Sequence, residues 1–475
     1  MGQEIAGANF VGKDFERFRE HLNDETQRLE QVFANTTQQQ DQRYAGLELE
    51  AWLIDQTMHP APINDAFLKL LHDPLANAEL AKFNIEFNTD PLPLTSNCFS
   101  RLHRQLQNAW SNASQQAQKL DSELLMTGIL PTLEQDDLNP MNMSDMNRYR
   151  ALNEQILASR GRPVRLDISG KEHLRLTHHD VMLESAATSL QLHTQIPLNI
   201  AHHFYNASIM ASAAVVAVSA NSPFLFGHTL WHETRIPLFE QAIESGGFDG
   251  ASHGPVKRVS FGSDYARHSI FECFQENLDH FPVLLPVDLG LPGDKLEYLR
   301  LHNGTVWRWN RPIVGFNDGK PHVRIEHRTP AAGPTVTDML ANAAFYFGLS
   351  HAFCDRLISR GFELSFTDAR DNFYKAARYG LNTHVIDLDG QHQRLQKYIL
   401  DELLPLAEQG LDKLDILASE KNDYLSIIEA RVEKHQTGSD WQLAYINKHG
   451  DDLQQLTRQY LFHQQQGKVV SEWPI

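Results

Sequence analysis

Ala45-Gly46-Leu47-Glu48-Leu49-Glu50-Ala51-Trp52 alternates apolar with small or acidic residues. So do Phe83-Asn84-Ile85-Glu86-Phe87-Asn88, Ser189-Leu190-Gln191-Leu192-His193-Thr194-Gln195 and His322-Val323-Arg324-Ile325-Glu326-His327-Arg328. A strand sends alternate side chains to opposite faces, so each stretch has one apolar side and one chemical side. The chemical sides read Glu48/Glu50, Glu86, Gln191/His193 and Arg324/Glu326/Arg328. A half-buried strand ordinarily shows water threonines, lysines and serines. Carboxylates with one imidazole and two guanidiniums point instead to an active site.

Working outward, Lys13 to Ala34 carries Phe15, Phe18, Leu22, Leu29 and Phe33 at the spacing of an amphipathic helix. A turn at Gln38-Gln39-Gln40 leads into the first acidic strand. Arg101 to Leu124 reads as a long polar helix, Leu124 to Leu130 as a fully buried strand, and Pro131 to Asn147 as a long loop. Ala207 to Ala220 reads as a buried helix packed on a sheet, stopped at Asn221-Ser222-Pro223 because proline disfavours helix in the residue before it. Ser245 to Gly250 is a glycine-rich loop. From Thr337 onward the pattern is helical, and after a turn at Asp389-Gly390 it remains so, with Ile399, Leu403, Leu406 and Leu411 in a stripe. Strands with a polar open face, interleaved with helices, predict α+β with an antiparallel sheet.

The 475 residues suffice for a large core. A formal charge of −18 argues against a general nucleic-acid or anionic-membrane binder, which needs a basic surface. The strongest apolar run is too short to span a bilayer, and no signal-peptide pattern opens the chain. Cys98, Cys273 and Cys354 match no zinc or disulfide spacing and suit a reducing cytoplasm. A homo-oligomer is compatible with this sequence.

Glu48 and Glu50 start roughly 7 Å apart on one strand face. At an effective dielectric near 20, two bare carboxylates at that distance repel by about 2 kcal/mol. Glu86 and Glu326 on neighbouring strands deepen the repulsion unless cations sit among them. An oxygen-rich set with one imidazole suits Mg²⁺ or Mn²⁺ better than zinc. One Glu-x-Glu alone is more often a solvated sheet face, and a lone histidine more often a hydrogen-bonded sheet residue. Four such strands together, each with an apolar reverse, favour function. Arg324 and Arg328 lie beside Glu326, and Arg308, Arg311 and Arg235 follow in the inventory of guanidiniums. Outside the Arg324/Arg328 pair, each arginine reads equally as a salt-bridge partner. Metal ions bridging phosphate oxygens, with arginines neutralising developing charge, are the recurring parts of ATP-driven phosphoryl transfer. No P-loop, no Gly-x-Gly-x-x-Gly after a strand and no Gly-x-Ser-x-Gly elbow is present.

Gly46-Leu47-Glu48-Leu49-Glu50, Gln191-Leu192-His193 and Arg324-Ile325-Glu326-His327-Arg328, in that order, resemble the glutamate–cysteine ligases of plant and proteobacterial type and their carboxylate–amine ligase relatives. Ser219-Ala220-Asn221-Ser222-Pro223, ahead of Arg235, and Asp371 to Leu381 extend the likeness, which spans roughly Tyr44 to Gly390. The resemblance implies a glutamine-synthetase-like fold, a curved antiparallel sheet whose concave face holds Mg²⁺, ATP and an amino acid. Residues 1–43 would be an N-terminal helix, 44–390 the catalytic domain and 391–475 a helical extension packed on it. Glu48, Glu50, Glu86, His193 and Glu326 would hold the metals and Arg324 would meet ATP phosphates. Arg328 would stabilise the transferring phosphoryl or the glutamate carboxylate, and Gln191 and Arg235 would line the substrate pocket, with Arg308 and Arg311 as further ATP or substrate ligands. The implied reaction joins glutamate to cysteine through a γ-glutamyl phosphate. The acceptor amine stays open, as does a non-catalytic relative that binds nucleotide. A guanidino kinase, which shares the fold class, would leave four carboxylates without work.

Overall fold

All four alternating stretches become neighbours in one sheet. The structure is a computed structural model of the chain that describes all residues except 1–3, 6, 8, 9, 36–41, 245–256, 291, 292 and 318. The turn at Gln38 to Gln40 and the loop at Ser245 to Gly250 lie outside the described residues. The principal strands are β1 (Tyr44–Asp55), β2 (Ala76–Ala78), β3 (Asn84–Asn88), β4 (Leu190–Ile196), β5 (Asn310–Asn317) and β6 (Lys320–His327). Their order is β5-β6-β4-β1-β3-β2, with Leu92–Pro93 and Ser122–Leu125 also paired to β1. Every pairing in this curled sheet is antiparallel, as expected.

Register then does the work of assembly. Arg311 lies opposite Glu326, Glu326 opposite His193, and His193 opposite Gly46. One step along, Gln191 faces Glu48, and Glu50 faces Glu86. Side chains directly opposite on an antiparallel pair start about 5 Å apart, so residues 280 positions apart in sequence share one face.

Helices α2 (Ala201–Val218) and α4 (Val336–Arg360) pack on the reverse face; α1 (Gly12–Asn35), α3 (Arg235–Ala242), α5 (Leu404–Asp412), α6 (Ala418–Glu433), α7 (Gly438–His449) and α8 (Leu453–Gln465) pack around them and around the edges of the sheet. Leu47, Leu49, Leu190, Leu192, Val323 and Ile325 are all buried on that side. Small residues along α2 let it lie close to the strands, and every residue but His202 and His203 is buried. His327, also on the reverse side, stacks on Tyr346 of α4 with ring centroids 4.0 Å apart. No helix among the described residues is long and apolar enough to cross a membrane.

The C-terminal helices are tied into this core. Gly410 of α5 meets Gly348 of α4 so closely that an added Cβ would sit 1.9 Å from the Gly348 carbonyl oxygen. Behind the sheet, Asn221 Nδ2 donates to the Ala332 carbonyl and to Tyr460 Oη of α8, both at 2.7 Å. Ser439, at the start of α7, accepts from the Ser222 amide at 3.0 Å.

Two boundaries differ from expectation. The helix expected over Arg101 to Leu124 is Cys98–Gln118, ended by a turn through Asp121 with φ of 52°. The strand expected over Leu124 to Leu130 is confined to Ser122–Leu125. Beyond it the buried backbone bonds elsewhere: Met126 O accepts from Tyr460 and Gln464, and Gly128 N donates to Asn221 O. A hairpin, Val164–Ser169 with His173–His178, adds a small separate sheet.

Candidate active site

The chemical face carries two clusters. In the first, ligand atoms of Glu48, His193 and Glu326 lie within 4.8 Å of one another. His193 Nε2 is 3.0 Å from Glu48 Oε1 and 3.9 Å from Glu326 Oε1. Glu326 is fully buried and held by Arg311 through two bonds of 2.8 Å, a fork-to-fork pair, with Arg328 Nη1 at 3.2 Å. Burial works to raise both carboxyls, but charge wins. Arg311, Arg328 and His193 hold Glu326 well below the usual range, and His193 draws Glu48 down to about 2. This cluster is locally compensated.

The second cluster is not. Ligand oxygens of Glu50, Glu79 and Glu86 also lie within 4.8 Å of one another. Glu50 accepts from the Ser189 amide and hydroxyl and from Gln191 Nε2, and Glu86 accepts from Asn88 Nδ2 at 2.8 Å. Burial raises the Glu50 carboxyl, with Arg328 opposing and Glu86 adding to it. Burial raises Glu79 well above its ordinary value, aided by Glu86, Glu50 and Glu184. Three carboxylates with oxygen-only donors and too little positive charge make the stronger case for a hard divalent cation such as Mg²⁺ or Mn²⁺.

The first cluster accepts a cation on one condition. Glu48 Oε2 is buried with no hydrogen-bond partner, an acceptor in want of a cation. Arg324 Nε, however, donates to His193 Nδ1 at 3.2 Å. That bond leaves the imidazole proton on Nε2. A cation at Nε2 requires the proton on Nδ1, and hence release of Arg324.

Beside the second cluster is a partly enclosed cavity. Arg235 and Phe239 enter it from one face of α3, four residues apart. Trp309 forms another wall, its indole N–H held by Glu240 Oε1 at 2.9 Å, which also accepts from Tyr374 at 2.7 Å. Glu50, Glu184 and Arg328 complete the polar lining. Arg235 is fixed by Glu233 through Nε at 2.8 Å and by the Thr329 carbonyl through Nη2 at 2.6 Å. Glu233 in turn accepts from the Asn221 amide and the Ser222 hydroxyl. The Ser219 to Pro223 motif thus acts by orienting Arg235.

Of the residues expected at the site, Glu48, Glu50, Glu86, His193, Glu326, Arg311, Arg324 and Arg328 come together on the concave face, and Arg235 lines the cavity. Arg308 does not join them. Alternation turns it away from Trp309, and it pairs with Glu276 at 3.0 Å and Asn277 at 3.1 Å beyond the sheet, so an ATP or substrate contact is corrected to a buried ion pair. Gln191 is also reassigned. Fully buried, it accepts from Arg328 at 2.7 Å and donates to Glu50 at 2.8 Å, so it joins the clusters and does not line the cavity. Arg311 is committed to Glu326. Glu79 and Glu184 were not singled out in the sequence. Glu79 follows the three-residue strand β2, whose small residues give no alternation to read, and Glu184 sits in the short turn Met182–Ala186.

A family model for glutamate–cysteine ligase family 2 matches residues 44–460. The chain belongs to this family. As a member of glutamate–cysteine ligase family 2 it is a ligase of the ATP-dependent, carboxylate–amine kind. Glutamate–cysteine ligase from Francisella tularensis, solved in complex with AMP, is similar with a TM-score of 0.53 and 11% identity, over 92% of this chain and 96% of that one. A bifunctional glutathione synthetase from Pasteurella multocida gives 0.50 and 12%, over 93% of this chain and 54% of that one. At such identities the likeness shows the fold, which is glutamine-synthetase-like. No curated protein matches the sequence.

Proposed function

We propose that this ligase-family chain joins the γ-carboxylate of glutamate to the amine of cysteine at the expense of ATP. The observation that carries the reading is the pairing of two carboxylate clusters, bridged by Gln191 and Arg328, with a cavity for an amino acid next to them. Divalent cations, held by Glu48, His193 and Glu326 and by Glu50, Glu79 and Glu86, would supply charge neutralisation for polyphosphate oxygens. Arg328 lies between the clusters and lines the cavity, so it faces both phosphate and amino acid. It stabilises negative charge as a γ-carboxylate oxygen attacks the γ-phosphorus and ADP leaves. Arg235, rigidly held by Glu233, orients the amino acid by its carboxylate. Phe239 and Trp309 exclude water, which would otherwise hydrolyse the acyl phosphate. The cysteine amine then attacks the acyl carbon, phosphate leaves, and the nitrogen loses one proton.

The test is ADP release over a matrix of amino acids and amines, with product mass measured. Release that requires both glutamate and cysteine, with γ-glutamylcysteine formed, is the expected result. Equal release with other amines would assign a broader ligase, and tight nucleotide binding without turnover would assign a non-catalytic relative.

A further inference from the structure

The polar groups around the cavity are not equally engaged. Glu50 has three donors, from Ser189 and Gln191. Arg328 is bonded to Gln191 and paired with Glu326. Arg235 uses Nε and Nη2 within the protein and, among the described residues, has no partner for Nη1. Among the described residues, the carboxylate of Glu184 has no hydrogen bond or ion pair, although the residue is half-buried and its neighbour Glu50 is also acidic. A half-buried carboxylate that opens on a cavity without a protein partner is available to a cationic group of a ligand. The turn carrying Glu184 packs against α3, which carries Arg235 and Phe239. One uncommitted carboxylate and one uncommitted guanidinium edge therefore share a cavity with two aromatic walls.

We propose that Glu184 is the specificity residue that reads the α-ammonium group of the amino-acid substrate, opposite an α-carboxylate held by Arg235. The inference rests on the ligase reading above and adds to it the reason an amino acid is chosen over a plain dicarboxylate. Glu184 is a counter-ion, not a proton acceptor in the reaction. A site built around a buried charge rejects a ligand lacking the matching group, because its own charge is then left unpaired.

The experiment is calorimetric binding of glutamate and of glutarate, which lacks only the ammonium group, to wild type and Glu184→Gln in Mg²⁺ and ADP. Wild type should prefer glutamate by about 10-fold or more. In Glu184→Gln that preference should collapse toward unity through weaker glutamate binding, with glutarate affinity kept or improved. The variant removes an unpaired charge without changing shape, so its melting temperature should equal or exceed that of wild type. Glu184→Asp, which keeps the charge, should retain part of the preference. A glutamate preference unchanged by Glu184→Gln overturns the assignment, as does a wild type that binds both acids equally. A less stable Glu184→Gln would also overturn it, since Glu184 would then have a protein partner. These outcomes are independent of turnover: failure of ADP release with every amine would remove the ligase reading and leave the binding ratio to decide Glu184.

Discussion

Neutralising Glu79 should stabilise the metal-free protein while removing its response to Mg²⁺. The substitution is Glu79→Gln, which keeps shape and removes one of three carboxylates. Ligand oxygens of Glu50, Glu79 and Glu86 lie within 4.8 Å of one another, where two unit charges at an effective dielectric near 20 repel by about 3 kcal/mol. Glu79 takes part in two of the three pairs. Part of that cost is already relieved, because burial and its acidic neighbours raise the Glu79 carboxyl well above its ordinary value and favour its protonated form. A gain of about 1–3 kcal/mol in EDTA is the expected remainder. The assay is thermal or urea unfolding at pH 7.5 with EDTA or with Mg²⁺. Wild type should gain stability with Mg²⁺ as the logarithm of its concentration above Kd. Glu79→Gln should start higher and gain much less, and ADP release should fall. If the variant is destabilised in EDTA, or if Mg²⁺ stabilises it as much as wild type, the three carboxylates do not form a cation site.

Glu326→Ala should abolish ADP release and also destabilise the fold by about 3–5 kcal/mol, because it strands Arg311 and Arg328, both buried, without their carboxylate; activity at the wild-type level would refute its place in the site. Arg308→Ala should lower the melting temperature by leaving Glu276 unpaired, and steady-state kinetics should show KM for ATP and amino acids unchanged. The folded Glu184 carboxyl is raised, first by burial and then by Glu50, from 4.5 to about 7. Between these values the folded chain holds a proton that the unfolded chain has lost, so metal-free stability falls as pH rises through the window, by at most about 3 kcal/mol. Unfolding curves for Glu184→Gln from pH 4 to 8 should lack that component, and an identical slope in wild type and variant would refute it.

The site was legible wherever chemistry and alternation coincide. Glu48, Glu50, Glu86, His193 and Glu326 each stand on a strand whose other face is apolar, and period-2 spacing is enough to place them on one side. The hidden residues lack that signal. β2 is three residues long and made of alanine and asparagine, so nothing in Ala76-Asn77-Ala78-Glu79 distinguishes an inward glutamate from a loop residue. Glu184 lies in a single helical turn, where no period can be read. Arg308 misled for the opposite reason. Five residues rich in indoles and guanidiniums look uniform in sequence, yet alternation sends Trp309 to the cavity and Arg308 to the ion pair with Glu276. The strand expected to Leu130 failed because hydrophobicity reports burial, and the partners that satisfy Met126 and Gly128 come from α8 and Asn221, far along the chain.

The two clusters differ in what completes them, and this decides how the site is built. Around Glu326, the guanidiniums of Arg311 and Arg328 already balance the buried carboxylate, so this part is set by folding and its geometry does not wait for a metal. Around Glu79 the charge is unbalanced, so occupancy there is linked to stability. Gln191 joins them because an amide can accept from Arg328 and donate to Glu50 at the same time. A glutamate at this position could only accept, and would turn its contact with Glu50 from a bond into a repulsion. The Gln191→Glu variant should therefore be less stable than wild type in EDTA and gain more from Mg²⁺, with the first cluster intact. Equal Mg²⁺ dependence in variant and wild type would mean that the bridge does not couple the two sites.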